Sequence, residues 1–145
     1  VGASASYEAI STAERIFASK DSEVGSIGVT SSYLENTNKN KKDGYSFVQL
    51  SMGRYKDSGS PDKQLTEEER LLFMRDIKIM YDNFVKEIAV NRNIPIEKVR
   101  SFADGSTMLG ERAKQLGLVD EIGGYEEAKK YVEAKTGIKL EACQR

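Results

Sequence analysis

Apolar residues recur at helical spacing over the second half of the chain, and most clearly after Thr66. Thr66 and Glu69 form the capping-box pattern that starts helices, with acidic residues placed on the positive end of the helix dipole. Apolar positions then repeat every three or four residues up to about Asn91; they are Phe73, Ile77, Met80, Tyr81, Phe84 and Ile88. The pattern predicts one long amphipathic helix whose apolar face packs in the core or against another subunit.

Further helices are predicted on shorter signals. The Ala- and Ser-rich residues 4–14 favour a helix, and Pro95 suits the first position of another. A third, "GERAKQLG", stops at Gly117, because glycine is favoured just after a helix. The last helix is predicted over residues 125–136 and ends at Gly137 for the same reason.

Short apolar runs between these helices predict strands. "RIFAS" is interpreted as a buried strand, "GSIGV" as a turn into a second strand, and "YSFVQLSMG" as a third. "LVDEIGG" predicts a short strand or turn, and "IKLEA" a final strand, whereas the lysine-rich "NTNKNKKDG" predicts a loop or hairpin tip. Because strand and helix signals alternate, with helix dominant after residue 65, we expect a single α/β domain over residues 1–145.

Composition removes several classes of function. The chain has 145 residues and a net charge of −1, which argues against nucleic-acid binding, and we interpret the lysine-rich segment as a solvated loop. It contains no histidine, which excludes a Ser-His-Asp triad or a histidine-containing zinc site within the chain. A single cysteine, Cys143, cannot form an internal disulfide or a metal cluster. We therefore expect no metal or cofactor, and any nucleophilic catalysis needs a lysine, a carboxylate or the N-terminal amine as base.

No apolar run approaches the roughly 20 residues that span a bilayer, and no signal peptide is recognised. The chain begins with Val1 rather than methionine, which we interpret as a processed product or a fragment.

Three blocks resemble the signal peptide peptidase A (SppA) family of Ser-Lys peptidases. The first, "ASASYEAISTAERIFAS…GSIGV", is similar to the family's Ala-Ser-Gly-Gly-Tyr helix, short strand and Gly-Ser-Ile-Gly turn. The second, "GRYKDSGSP…LTEEER", resembles a Gly-x-Tyr-Lys-x-x-Gly-Ser-Pro segment with the long helix that follows it. The third, "KVRSFADGSTMLGERAKQLGLVDEIGG", resembles a Val-Arg-x-x-Ala-Asp-Gly…Gly-Leu-Val-Asp signature. Their order and spacing over nearly the whole chain make the match specific.

The resemblance implies a partial Clp protease/crotonase-like fold, with the upstream strands and the nucleophile segment absent. It implies that the nucleophilic serine precedes Val1, that Arg15 occupies the position of the lysine base, and that Ser4 occupies that of a serine which orients the lysine. Ala5-Ser6 replaces the family's Gly-Gly. The turn that would pair with a substrate peptide by strand addition contains Gly25, Ser26, Ile27 and Gly28.

Arginine is a poor replacement for a lysine base, because guanidinium stays protonated in proteins. Three explanations remain open. The chain is the later portion of a two-part peptidase, or Arg15 is an inactivating change, or the protein is a non-catalytic scaffold of the same fold. Lys20 is a weaker substitute for the base.

The function implied is a serine endopeptidase that degrades cleaved signal peptides or other extended apolar peptides, with this chain alone predicted to hydrolyse none. The alternative is a catalytically inactive assembly module that forms oligomeric rings. The resemblance also implies a homo-oligomer, membrane association on the extracytoplasmic side, and membrane contact only through segments outside this chain.

Overall fold

The computed structural model describes residues 1–141, and Ala142 and Cys143 lie outside this range. The described residues form short strands and helices whose order is β1 Gly2–Ala3, α1 Ala5–Ser11, β2 Phe17–Ala18, β3 Glu23–Gly25, α2 Thr37–Lys42, α3 Glu67–Asn91, α4 Ile96–Arg100, β4 Thr107–Leu109, α5 Gly110–Leu116, β5 Glu121–Ile122 and α6 Tyr125–Thr136.

The strands form two small sheets. In the three-stranded sheet, β3 lies between β1 and β4, parallel to the first and antiparallel to the second. The register of β1 and β3 places Ala3 opposite Gly25, so the two strands end at the same level of the sheet. The other sheet pairs β2 with β5 in parallel. The mixed α/β class predicted from the sequence is confirmed.

The chain divides into two compact units. The first unit contains Val1–Gly28 and the chain from Asp82 onward, and the second unit contains Val29–Tyr81. The expected single domain over residues 1–145 remains a prediction.

The core of the first unit is built around buried aliphatic residues with Tyr7 and Phe84. Tyr7 of α1 is fully buried, and its hydroxyl donates a 2.8 Å hydrogen bond to the carbonyl oxygen of Leu118. The buried Arg92 side chain pairs with Asp120 at 2.7 Å, and Asp120 also accepts from the backbone N–H of Ile16. The start of β2 is therefore held to the turn before β5.

The second unit is organised by the start of α3. Glu69 accepts hydrogen bonds from the backbone N–H and hydroxyl of Thr66, while Thr66 accepts from the N–H of Glu69. This confirms the predicted capping box. The Lys63 ammonium lies 2.6 Å from the Glu69 carboxylate, and together with the Thr66 amide it lowers the pKa of Glu69 to about 2. Only 3% of the Glu69 surface is exposed.

Most of the predicted helices are confirmed. The long helix ends at Asn91, and the last helix ends at Thr136 before Gly137. Gly117 adopts the left-handed conformation at the end of α5. Pro95 stands one residue earlier than predicted, at the N-cap of α4. The first helix is confirmed but stops at Ser11.

Several strand and loop predictions are wrong. The lysine-rich segment forms the short helix α2, because Lys39 pairs with Asp43 one turn later and glycine follows at position 44. "GSIGV" is not a turn into a strand; β3 ends at its first residue, Gly25, and the left-handed backbone of Gly25 and Ser26 ends the ladder. The described residues of "YSFVQLSMG" and "IKLEA" form no strand, since no described segment pairs with them.

Candidate active site

Ser4 stands at a sharp turn between β1 and α1. Its backbone has φ 54° and ψ −133°, in the half of conformational space that residues with a Cβ rarely occupy. Such a conformation costs about 1–3 kcal/mol and persists only where the surrounding structure imposes it. A serine on a strained strand-to-helix turn is the arrangement that exposes a nucleophilic hydroxyl.

The Ser4 hydroxyl is not used to cap the helix. Serine at this position ordinarily accepts a hydrogen bond from the first helical turn, whereas Ser4 makes no such side-chain bond. The residue is exposed. A strained, accessible hydroxyl without a structural task in the cap is available for chemistry.

A second strained serine lies at the end of the neighbouring strand. Gly25, the last residue that pairs β3 with β1, and Ser26 after it have φ values of 101° and 51°. The backbone N–H of Ser4 donates to the carbonyl oxygen of Gly25 at 2.8 Å. Ser4 and Ser26 therefore lie at adjacent strand ends in the first unit, which is where ligands bind in parallel sheets.

The residues predicted to bind substrate are Gly25, which is buried at the end of β3, and the three residues that follow it. Ile27 is buried at 1% exposure, whereas Ser26 and Gly28 are half-buried. Ser26 and Ile27 bond to the loop at residues 104–106 on the β4 side. Because β1 ends at Ala3, no described strand pairs with residues 26–28 on the other side.

Arg15 lies away from this turn. It follows α1, whereas Ser4 precedes it, and seven helical residues span about 10 Å. The Arg15 guanidinium pairs with Glu121 and lies 5.3 Å from the ring centre of Tyr131. The hydrogen bond with Glu121 raises the pKa of Arg15 further. These contacts are those of a surface ion pair, and they do not bring Arg15 to Ser4.

Lys20, the weaker candidate for the base, is also held in an ion pair at the surface. Lys20 pairs with Glu111 at 3.2 Å, and both side chains are largely exposed. The described part of the chain holds no group of three or more metal-ligating side chains. Hydroxyl chemistry on Ser4 is thus what the first unit supports best.

The sequence around Ser4 carries part of a known signal for such a turn. Residues 2–6 read Gly-Ala-Ser-Ala-Ser, which matches the Gly-x-Ser-x-Gly pattern of strand-to-helix nucleophiles except that Ser6 replaces the second glycine. The pattern carries weight only when a strand precedes it, and β1 has two residues. It was too short to be predicted from an apolar run.

The chain is similar to known proteins that are named as proteases. "Putative protease MJ0651" of Methanocaldococcus jannaschii is 40% identical over 94% of this chain and 44% of its own length. "Putative signal peptide peptidase SppA" of Enterococcus faecium is 35% identical over 87% of the chain and 37% of its own length. "Serine protease SPPA, chloroplastic" of Arabidopsis thaliana is 30% identical over 97% of the chain and 21% of its own length.

The chain spans less than half the length of these curated relatives. Among residues 1–141, no helix has the length and apolar character needed to cross a membrane. The model of peptidase family S49 matches residues 1–139, which is nearly the whole sequence. The chain belongs to peptidase family S49.

Proposed function

We propose that the protein is a serine endopeptidase of the signal peptide peptidase A type and that Ser4 is its nucleophile. The observation that supports this best is the strained, exposed strand-to-helix turn that carries the Ser4 hydroxyl. The proposal replaces the expectation that the nucleophile precedes Val1, and it removes Arg15 from the catalytic group.

In the proposed reaction the Ser4 oxygen attacks a peptide carbonyl while its proton passes to a base. The backbone N–H of Ala5, the residue after the nucleophile, belongs to the first helical turn, whose amides have no partner within the helix. In the proposed reaction this N–H stabilises the oxyanion. Collapse of the tetrahedral intermediate expels the amine product, which takes the proton from the base, and water then hydrolyses the acyl-enzyme.

The base has to be an amine or a carboxylate, because the chain has no histidine. We assign it to Lys56, the lysine of the segment that resembles the family's Gly-x-Tyr-Lys-x-x-Gly-Ser-Pro sequence. A lysine amine can act as a base in proteins, whereas the guanidinium of Arg15 cannot. The assignment is made from the sequence segment.

The proposed substrate is an extended peptide that pairs with residues 26–28. β1 stops at Ala3, so a peptide strand added beside these residues would bring its carbonyl groups to the level of Ser4. The Enterococcus faecium relative is named a signal peptide peptidase, and we propose cleaved signal peptides and similar apolar segments as substrates. The Clp protease/crotonase-like fold, a homo-oligomeric state and membrane association on the extracytoplasmic side belong to the same proposal.

Substitution of Ser4 tests the proposal directly. The 145-residue chain and its Ser4→Ala variant are compared for cleavage of a fluorogenic apolar peptide, with Ser6→Ala as the matched control on the same exposed turn of α1. We expect turnover by the parent chain and by Ser6→Ala, and none by Ser4→Ala. Turnover that survives Ser4→Ala contradicts the proposal, and so does a parent chain that cleaves nothing.

The lysine assignment has its own test. Lys56→Arg keeps the positive charge and removes the ability to accept a proton, and Lys42→Arg makes the same change at another exposed lysine. We expect loss of turnover only in Lys56→Arg. Equal turnover by both variants would assign the base elsewhere.

A non-catalytic assembly module is the second candidate, and exposed apolar residues favour it. Between residues 45 and 52, Val48, Leu50 and Met52 are 74%, 93% and 97% exposed. Exposed apolar segments of this kind mark interaction surfaces. Sedimentation distinguishes the candidates: a ring without peptidase activity supports the module, and an active monomer excludes it.

A further inference from the structure

The loop at residues 104–106 is held in shape by one carboxylate. A single oxygen of Asp104 accepts hydrogen bonds from the backbone N–H of Ser106 at 2.9 Å and from its hydroxyl at 2.6 Å. Gly105, between them, has φ 86°. The hydrogen bonds from Ser106 lower the pKa of Asp104, so this carboxylate is ionised at neutral pH.

The same loop forms hydrogen bonds with the backbone at Ser26 and Ile27, directly after β3. The N–H of Ser26 donates to the carbonyl oxygen of Ser106 at 2.8 Å, and the N–H of Gly105 donates to that of Ile27 at 3.0 Å. The Ser26 hydroxyl donates to the carbonyl oxygen of Gly105 at 3.1 Å. Two hydrogen bonds donated by Ser26 and one accepted by Ile27 therefore hold Ser26 in its left-handed conformation.

The contact between the two segments is also tight. A Cβ built on Gly28 would lie 2.9 Å from the Cα of Gly105, so the backbones touch with no room for a side chain. Because there is no free space between the two backbones, a shift of the loop would force residues 26–28 to move. These residues are joined in turn to Ser4 through the bond between the Ser4 N–H and the Gly25 oxygen.

We propose that Asp104 is a positioning residue for the Ser4 turn, acting through Ser106, Ser26 and Gly25. The inference rests on the proposed function, since it concerns the orientation of the same nucleophile. Asp104 touches no reacting atom. Its carboxylate holds the conformation of the loop at residues 104–106, and this loop holds Ser26 by hydrogen bonds. The strained backbone at the ends of β3 and β1 is thereby held in place.

The chemistry predicts which substitutions the site tolerates. Asp104→Ala removes the acceptor, and the exposed Ser106 groups turn to water, so the loop loses its fixed shape. Asp104→Asn keeps a carbonyl oxygen that can accept both hydrogen bonds. We expect Asp104→Ala to lower kcat about 10-fold through misplacement of the nucleophile, with a smaller change in KM, and Asp104→Asn to restore most of the rate.

The experiment combines kinetics with amide exchange on the full chain. Peptide turnover and NMR hydrogen exchange are measured for the parent, Asp104→Ala, Asp104→Asn and the control Asp21→Ala, which changes another exposed aspartate of the first unit. In Asp104→Ala we expect faster exchange at the amides of Ser26 and Ser4, with an unchanged thermal midpoint of unfolding.

Each outcome decides one of the two claims. Slower turnover with faster Ser4 exchange, both reversed in Asp104→Asn, supports the positioning role. Exchange that changes at Ser26 and not at Ser4 overturns it, as does Asp104→Ala with parental kcat. If the Ser4 amide responds as expected but turnover does not depend on Ser4, the proposed function fails while the coupling from Asp104 to the turn stands.

Discussion

The backbone N–H of Ser4 donates a 2.8 Å hydrogen bond to the carbonyl oxygen of Gly25. The bond joins the ends of the parallel strands β1 and β3. Both segments adopt strained backbone conformations at this point. Strain of this kind costs free energy and is kept where the fold has a use for it. The Ser4 hydroxyl stands exposed at this junction, which is why the account places the chemistry here.

The close approach of Gly28 to Gly105 predicts a loss of turnover when a methyl group is added. Gly28→Ala places a Cβ 2.9 Å from backbone, so residues 26–28 must move. We expect about 1–3 kcal/mol of destabilisation and at least about a 10-fold loss of kcat/KM, measured by urea unfolding and peptide cleavage. Gly44→Ala is the control, since it is strained at φ 79° but contacts nothing within 4 Å. It should lose stability and keep turnover; equal turnover in both variants would argue against the peptide site.

Arg15 is expected to be neutral for catalysis. Its guanidinium is held by Glu121 and Tyr131 on an exposed surface, so Arg15→Lys should change neither kcat nor KM and should lower the thermal midpoint only slightly. The test is steady-state cleavage by the parent, Arg15→Lys and Arg15→Ala. A gain of turnover in Arg15→Lys alone would show that this position is the lysine site after all.

The hydroxyl of Tyr7 is predicted to stabilise the first unit. Tyr7→Phe leaves the buried carbonyl oxygen of Leu118 without its donor, which costs about 1–3 kcal/mol of unfolding free energy. Tyr125, at 62% exposure, provides the matched change. Tyr125→Phe should stay within about 0.5 kcal/mol of the parent by urea unfolding. Equal unfolding midpoints for the two variants would contradict the buried hydrogen bond.

The Glu69 network predicts an acid limb in stability. The pKa of Glu69 is lowered from 4.5 to about 2 by Lys63 and Thr66, so its contribution is complete above the unfolded value and fades as the pH falls towards 2. Glu69→Gln should destabilise the chain at neutral pH, and the difference from the parent should shrink between pH 4.5 and about 2.

Circular dichroism during acid titration measures this limb. Glu68→Gln serves as the control, because Glu68 pairs with Arg54 on the exposed side of the same helix and surface pairs contribute little. An acid limb of the same size in the parent and in Glu69→Gln would rule out the network as its source.

Helices were predicted well because their signals are local. The capping pair Thr66 and Glu69, and the glycines at 117 and 137, set helix ends from neighbouring residues alone. Strands depend on partners distant in sequence: β1 pairs with β3 across some twenty residues, and neither two-residue nor three-residue strands leave an apolar period to detect. The segment at 45–52 has a strand-like pattern and no described partner, so pattern alone was misleading there.

Only part of the candidate site could be predicted from the sequence. Ser4 and the turn at Gly25–Gly28 were both singled out, but only through likeness to the SppA family, and Ser4 was assigned a supporting role. The strained backbone conformation of Ser4 is the reason for the different role proposed here. This conformation depends on the pairing of β1 with β3, and the neighbouring residues alone do not predict it. The contribution of Asp104 is equally non-local, since it reaches Ser26 through a loop about eighty residues away.

Covalent labelling tests the central claim most directly. The full chain is treated at neutral pH with a fluorophosphonate, which reacts with activated serine hydroxyls, and the modified peptide is located by mass spectrometry in the parent and in Ser4→Ala. We expect one adduct, on Ser4, that disappears in the variant. A parent chain that is unlabelled, or labelled at another serine, would contradict it.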